Sequence, residues 1–199
     1  MRSVEEIKYL FENHAGMMRT SELLEERVYY KELQSLIEVG VIEKVRYGYY
    51  QLTDNENFSE VTTIVRLFPD AIFCMETALY YYRYSDRTPK AWNLAVSKDS
   101  GKSRFKIEYP PVKPYYIEPS LLEIGLTNFE IDGNLVRIYD KERTICDCLR
   151  YYGKMDREIF NNAIRRYVYD PKKDISRLME YAKKMRVVQK VNNIIGVWI

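Results

Sequence analysis

One histidine and three cysteines are the whole supply of soft metal ligands in 199 residues, and their spacing excludes most of what they could do. Cys74, Cys146 and Cys148 form no CxxC pair and no disulfide framework, so a reduced, cytoplasmic setting is expected. Cys146 and Cys148 are two apart in a helical pattern and point in different directions; with His14 far away, no zinc site is expected. A single histidine at a predicted helix end also argues against a histidine-dependent catalytic triad. No run approaches the length of a membrane span, and the opening MRSVEEIKYLF is too acidic and interrupted for a signal peptide. Asp99-Ser-Gly-Lys-Ser103 resembles the tail of a phosphate-binding loop, but Val96 stands where that loop needs its first glycine. There is no Gly-Ser motif followed by paired aspartates and no carboxylate cluster at metal-ligand spacing. The expectation is therefore no enzyme, no cofactor, no metal and no membrane partner.

What the chain does have is charge, tyrosine and punctuation. Apolar residues make up 46% and charged residues 30%, which suits a globular protein with one large or two small cores. Nineteen tyrosines fit half-buried positions, where the ring packs and the hydroxyl reaches water. Residues 1–55 hold 7 basic and 10 acidic side chains, whereas Arg150 to Lys190 hold 12 basic and 5 acidic. That excess, including Lys183, Lys184 and Arg186, reads either as a polyanion-binding face or as a solvated helical face.

Ser3-Val-Glu-Glu6 is a capping box, and Val4, Ile7, Leu10 and Phe11 continue at helical spacing to about His14. Thr20 is expected to cap a short helix, SELLEE, and a third helix is expected from about Val28 to Val39, stopped by Gly40. VIEKV and YYQL around Arg46-Tyr47-Gly48 predict a hairpin. Three helices and a hairpin in about 50 residues make a winged helix-turn-helix over residues 1–54. The polar stretch TDNENFSE (53–60) predicts the boundary to a second domain over 58–199.

That second domain reads as α+β: a sheet-containing half followed by a helical half. VTTIVRLF and METALYYYRYS predict helices; WNLAV, FKIEY and YYI predict strands. FEI and LVRIY flank a hairpin turn at Asp132-Gly133-Asn134. Asp140, Asp156 and Asp174 are placed to cap KERTICDCLRYY (closed by Gly153), REIFNNAIRRYVY and ISRLMEYAKKM, and VVQKVNNIIGVWI predicts a last helix with an apolar tail.

With Leu33 at the centre of the third helix's buried stripe, Tyr29, Leu36 and Ile37 fall on the same side at 100° per residue. Arg27, Lys31, Gln34, Ser35 and Glu38 then point outward. Such a face can lie in a DNA major groove, with Lys44, Arg46 and Tyr47 of the hairpin against the adjacent backbone. A basic loop at Lys98, Lys102, Arg104 and Lys106 is a further candidate for phosphate contact. The acidic balance of residues 1–55 favours the competing reading, a winged helix that binds protein.

FPDAIFCMETALYYYRYSD, LVRIYDKERTICDCLRYYGKMDREIFNNAIRRYV and ISRLMEYAKKMRV, behind LIEVGVIEKVRYGYYQL, resemble the AbiEi family of type IV toxin–antitoxin antitoxins over most of the chain. RIYDKERTICDCLRY is the most specific stretch. The wing reads VRYG where many relatives have a more basic VRRG. The resemblance implies an antitoxin from an abortive-infection, phage-defence operon. It implies autorepression through promoter inverted repeats in double-stranded DNA. It also implies opposition to a nucleotidyltransferase-like toxin without a stable complex, an effect needing the C-terminal domain. Asp140, Arg143 and Asp147 are then candidates for the antitoxic effect; read as residues alone, they are a helix cap and an i,i+4 ion pair. The alternative partner relationship is direct binding of the toxin by the winged helix.

Overall fold

The computed structural model describes residues 2–54 and 59–198. It is a mixed α+β structure of two compact units. One unit comprises Met1–Pro69, Lys102–Pro110 and Ile131–Asn134; the other comprises Asp70–Gly101, Pro111–Glu130 and Leu135–Ile199. Residues 55–58 of the expected boundary lie outside the described residues. The first unit runs past that boundary, to Pro69.

In the first unit, the Ser3 box closes as expected: its hydroxyl accepts the Glu6 N–H at 3.2 Å, and the Glu6 carboxylate accepts the Ser3 N–H at 2.7 Å. This starts α1 (Val4–Glu12), which buries Ile7, Leu10 and Phe11. The strand β1 (Met17–Arg19) was not expected, because three residues, MMR, carry no alternation; it exists by pairing with β3. α2 (Thr20–Glu25) is capped at Arg19 rather than Thr20: the Arg19 N–H bonds Glu22 at 2.7 Å. The Thr20 N–H instead meets the Gly48 carbonyl at 3.0 Å. α3 (Tyr30–Glu38), β2 (Ile42–Arg46) and β3 (Tyr49–Leu52) follow, and the antiparallel sheet runs β1-β3-β2. Met18, Leu23, Val28, Leu33, Leu36, Ile42 and Leu52 close one core with α1.

α4 (Glu60–Leu67), capped by Ser59, joins this unit through an Arg66–Glu22 ion pair at 3.0 Å. FKIEY is not a strand: Lys102–Phe105 form a 3-10 turn, and Phe105 stacks on Phe68 at 5.1 Å between ring centroids.

The second unit contains β4 (Ile72–Phe73), α5 (Met75–Tyr81), β5 (Trp92–Ser97), β6 (Val112–Ile117), α6 (Pro119–Leu122) and all but the turn-end residues Ile131 and Asn134 of β7 (Leu126–Ile131) and β8 (Asn134–Tyr139). Sheet order is β6-β5-β4-β8-β7, with β4 antiparallel to β5 and parallel to β8, and β5 parallel to β6. Asp132 and Gly133 turn the β7–β8 hairpin with φ of 49° and 73°, the paired positive values of a primed turn. α7 (Lys141–Arg150), α8 (Arg157–Tyr169) and α9 (Ile175–Met185) start at Asp140, Asp156 and Asp174, each accepting a backbone N–H. Gly153 does not close α7; it lies inside the 3-10 turn Tyr152–Lys154. α10 (Val188–Ile194) leads into a last 3-10 turn, Gly196–Trp198. Leu79, Ile145, Leu149, Phe160, Ala163, Tyr167, Leu178 and Val191 share the helical core. Among the described residues, no helix is long and apolar enough to cross a membrane, and no three His, Cys, Asp or Glu side chains gather to hold a metal.

Candidate nucleic-acid interface

α3 divides as the helical period requires, with Leu33 and Leu36 buried, Ile37 half-buried, Gln34 and Ser35 half-buried, and Lys31 and Glu38 exposed. Two expected positions move. Tyr29 is 59% exposed, because it precedes the helix with φ −97° and ψ 165°, where helical projection no longer applies. Arg27 also lies off the helix; it is exposed, in the α2–α3 turn, with φ 60°. Tyr30, 72% exposed, also joins the outer face. Glu32 is already engaged, accepting the Arg2 N–H at 2.9 Å, and the Arg2 guanidinium pairs with Glu26 at 3.6 Å.

The hairpin tip is the two-residue turn Tyr47-Gly48, where Gly48 takes φ 77° at no steric cost. A register shift between Lys44 and Arg46 marks a bulge, a device that re-aims side chains. Tyr47 is 92% exposed, and the Lys44 ammonium stands 5.5 Å from its ring centroid. Arg46 departs from expectation. Its guanidinium donates to the Leu67 carbonyl at 2.7 Å and the Arg104 carbonyl at 3.2 Å. It also lies 4.1 Å from the Tyr49 ring centroid and 5.2 Å from that of Phe68. Leu67 ends α4, where a cation also meets the negative end of the helix dipole. Arg46 therefore braces the hairpin rather than presenting a free cation, because its carbonyl partners come from segments distant in sequence. Lys44 and Tyr47 are the exposed members of the tip.

Of the basic loop, Lys102 and Lys106 are exposed and Arg104 half-buried in the first unit, while Lys98, in the second, pairs with Glu118 at 2.7 Å. The other candidates belong to the second unit. Lys183, Lys184 and Arg186 are exposed at the end of α9, with Lys184 paired to Glu180 at 2.6 Å. The basic excess of Arg150 to Lys190 is divided rather than pooled. Arg166 engages Asp86 and the Arg83 carbonyl, and Lys190 bonds the Leu149 carbonyl at 2.8 Å. Both cations are thereby committed within the fold.

Asp140, Arg143 and Asp147 come together, with Arg143 and Asp147 inside and Asp140 half-buried beside them. The Arg143–Asp147 pair, Nε to Oδ2 at 3.1 Å, has side-chain exposures of 0% and 3%. Arg143 Nη1 donates to the Leu121 and Ile124 carbonyls at 2.6 and 2.8 Å, and its guanidinium lies 4.0 Å from the Tyr139 ring centroid. Asp140 accepts from the Arg143 N–H at 2.8 Å and from Tyr181 at 3.0 Å. Burial raises both carboxyls above their ordinary values, against the pull of those donors and of the Arg143 charge. Glu142 is buried too, accepting the Asp174 N–H at 2.9 Å. These groups knit α7 into its surroundings. No side chain of the Arg143–Asp147 pair reaches a surface where a partner could read it.

No protein-family model matches this sequence, and no curated protein matches it either.

Proposed function

We propose that the first unit is a winged helix-turn-helix that binds double-stranded DNA, and that the chain is a cytoplasmic autorepressor and antitoxin rather than an enzyme. One observation carries the reading: α3 presents Lys31, Gln34 and Ser35 opposite its buried Leu33 and Leu36, and the hairpin of the same unit ends in exposed Lys44 and Tyr47. A helix with that division fits a major groove, and a basic hairpin tip fits the neighbouring backbone. Engagement of Glu32 and Glu26 by Arg2 lessens the acidic opposition to phosphate. The resemblance of RIYDKERTICDCLRY and its flanks to the AbiEi antitoxins supplies the rest: inverted repeats upstream of the gene as operator, and a nucleotidyltransferase-like toxin opposed without a stable complex.

A mobility-shift titration on the protein's own upstream region tests this. Binding should weaken steeply with salt, since each neutralised phosphate releases counterions. Lys31→Ala and Gln34→Ala should narrow the gap between operator and random DNA, each by about 1–3 kcal/mol if it contacts a base edge. Unchanged discrimination in both variants would remove α3 as the reading element. The exposed tyrosines 29, 30 and 47 suit a protein partner equally well. Stable co-elution of toxin with this chain, lost on Tyr47→Ala, would favour that second reading.

A further inference from the structure

A cavity of about 370 Å³ opens beside β6, an edge strand of the five-stranded sheet, and the turn that follows α7. Its walls include Tyr115 and Tyr151, which meet edge to face at 5.3 Å between centroids, with Met75 and Met155. Lys113 and Lys154 also line it, both exposed, and the Lys113 ammonium stands 5.3 Å from the Tyr115 ring centroid.

Its composition sets it apart from two other cavities. One, in the first unit, is lined by Lys44 and Lys106 but also by Glu43 and Glu108. Another, along α8, is largely apolar with a single arginine. The β6 cavity combines two ammonium groups with aromatic and thioether walls, and no carboxylate lines it among the described residues; Glu76 acts on Tyr115 from outside the lining. Burial raises both tyrosine hydroxyls above their ordinary value, so they remain neutral donors. The volume falls within the range of small-molecule sites, about 300–1,000 Å³.

Aromatic and thioether surfaces accept a flat ring, and ammonium groups accept an anion. A nucleotide joins these two chemistries in one molecule. We propose that this cavity binds a nucleoside monophosphate unit, its base against Tyr115, Tyr151 and Met155 and its phosphate at Lys113 and Lys154. The unit is either a free nucleotide or the phosphorylated end of a single strand. Every lining residue belongs to the second unit, so the proposal stands or falls independently of DNA binding by α3.

Calorimetric titration of the full chain with the four ribonucleoside monophosphates, adenosine, inorganic phosphate and a 5′-phosphorylated tetranucleotide tests it. At least one monophosphate or the tetranucleotide should bind saturably. Lys113→Ala and Lys154→Ala should each weaken that binding at least fivefold with unchanged melting temperature, while adenosine binding stays as it was. A tetranucleotide bound tenfold tighter than any monophosphate assigns the strand end; comparable affinities assign the free nucleotide. Absence of saturable binding at millimolar ligand overturns the proposal. So does wild-type affinity in both lysine variants, or inorganic phosphate binding as tightly as the nucleotides.

Discussion

α7 and α3 invert the usual relation between charge and exposure. α7 (KERTICDCLR) is the more charged, yet every residue from Glu142 to Leu149 is buried. α3 (YKELQSLIE) carries fewer charges but buries only Leu33 and Leu36. The difference lies in partners. Around α7, the carbonyls of Leu121 and Ile124, the N–H of Asp174 and the ring of Tyr139 receive its ionic side chains. Buried charge survives where such groups satisfy it. Around α3, the outer side chains are left to solvent and to whatever binds there. Arg46 belongs, by this measure, with α7: a cation from the hairpin that the fold uses for itself.

The largest test of this contrast is Arg143→Leu, which strands Asp147 in a buried site. Urea unfolding should register a loss of about 3–5 kcal/mol. Arg143→Leu combined with Asp147→Leu should recover part of it, since no lone charge is then buried. If the double variant is no better than the single one, the pair is not the reason for the loss.

Gly125→Ala attacks the same site through the backbone. Gly125 has φ 72°, and a Cβ there would stand 2.4 Å from the Arg143 Cβ. Strain and overpacking together should cost about 3 kcal/mol in the same assay. Wild-type stability in this variant would mean that α7 sits less firmly than its bonds indicate.

In the first unit, Arg46→Ala should lower stability by about 2 kcal/mol, because two carbonyls lose a charged donor. Lys44→Ala should stay within about 0.5 kcal/mol of wild type. On DNA, Lys44→Ala should reduce the salt slope by about 1 if it neutralises one phosphate. The reverse order of stabilities would move Arg46 to the binding surface and Lys44 into the fold.

A last effect, visible only as a dependence on pH, is expected at Asp170. Burial acts to raise its carboxyl, but hydrogen bonds from Lys141 and Tyr84, each at 2.5 Å, bring it down to about 2. A depressed carboxyl contributes stability that is present above the unfolded value of 3.8 and is lost as pH falls toward about 2. Asp140, Glu142 and Asp147, raised by burial, act with the opposite sign. The diagnostic is therefore the difference between wild type and Asp170→Asn, which should shrink between pH 4 and 2 in equilibrium unfolding, by an amount of about 1 kcal/mol or more per tenfold shift in proton affinity. A difference independent of pH would mean that Asp170 is not held ionised by Lys141 and Tyr84.

Much of the secondary structure was legible because it depends on neighbours in sequence. Ser3, Asp140, Asp156 and Asp174 cap their helices through N–H groups two or three residues on, and Asp132-Gly133 turns its hairpin alone. The candidate site was legible in part. Lys31, Lys44 and Tyr47 stand exposed, but Arg27 and Tyr29 lie off the helix on which they were projected, and Arg46 turns inward.

Sequence alone thus determined where α1, α7, α8 and α9 start and which stripe of α3 is apolar, since each depends on spacing along one chain. Tertiary structure decided the pairing that makes β1 and β4 strands, the 3-10 turn that takes the start of FKIEY, and the partners that receive Glu142, Arg143 and Arg46. Their partners lie about 20 to 60 residues away in the chain, and whether a charge is buried depends on what arrives to meet it.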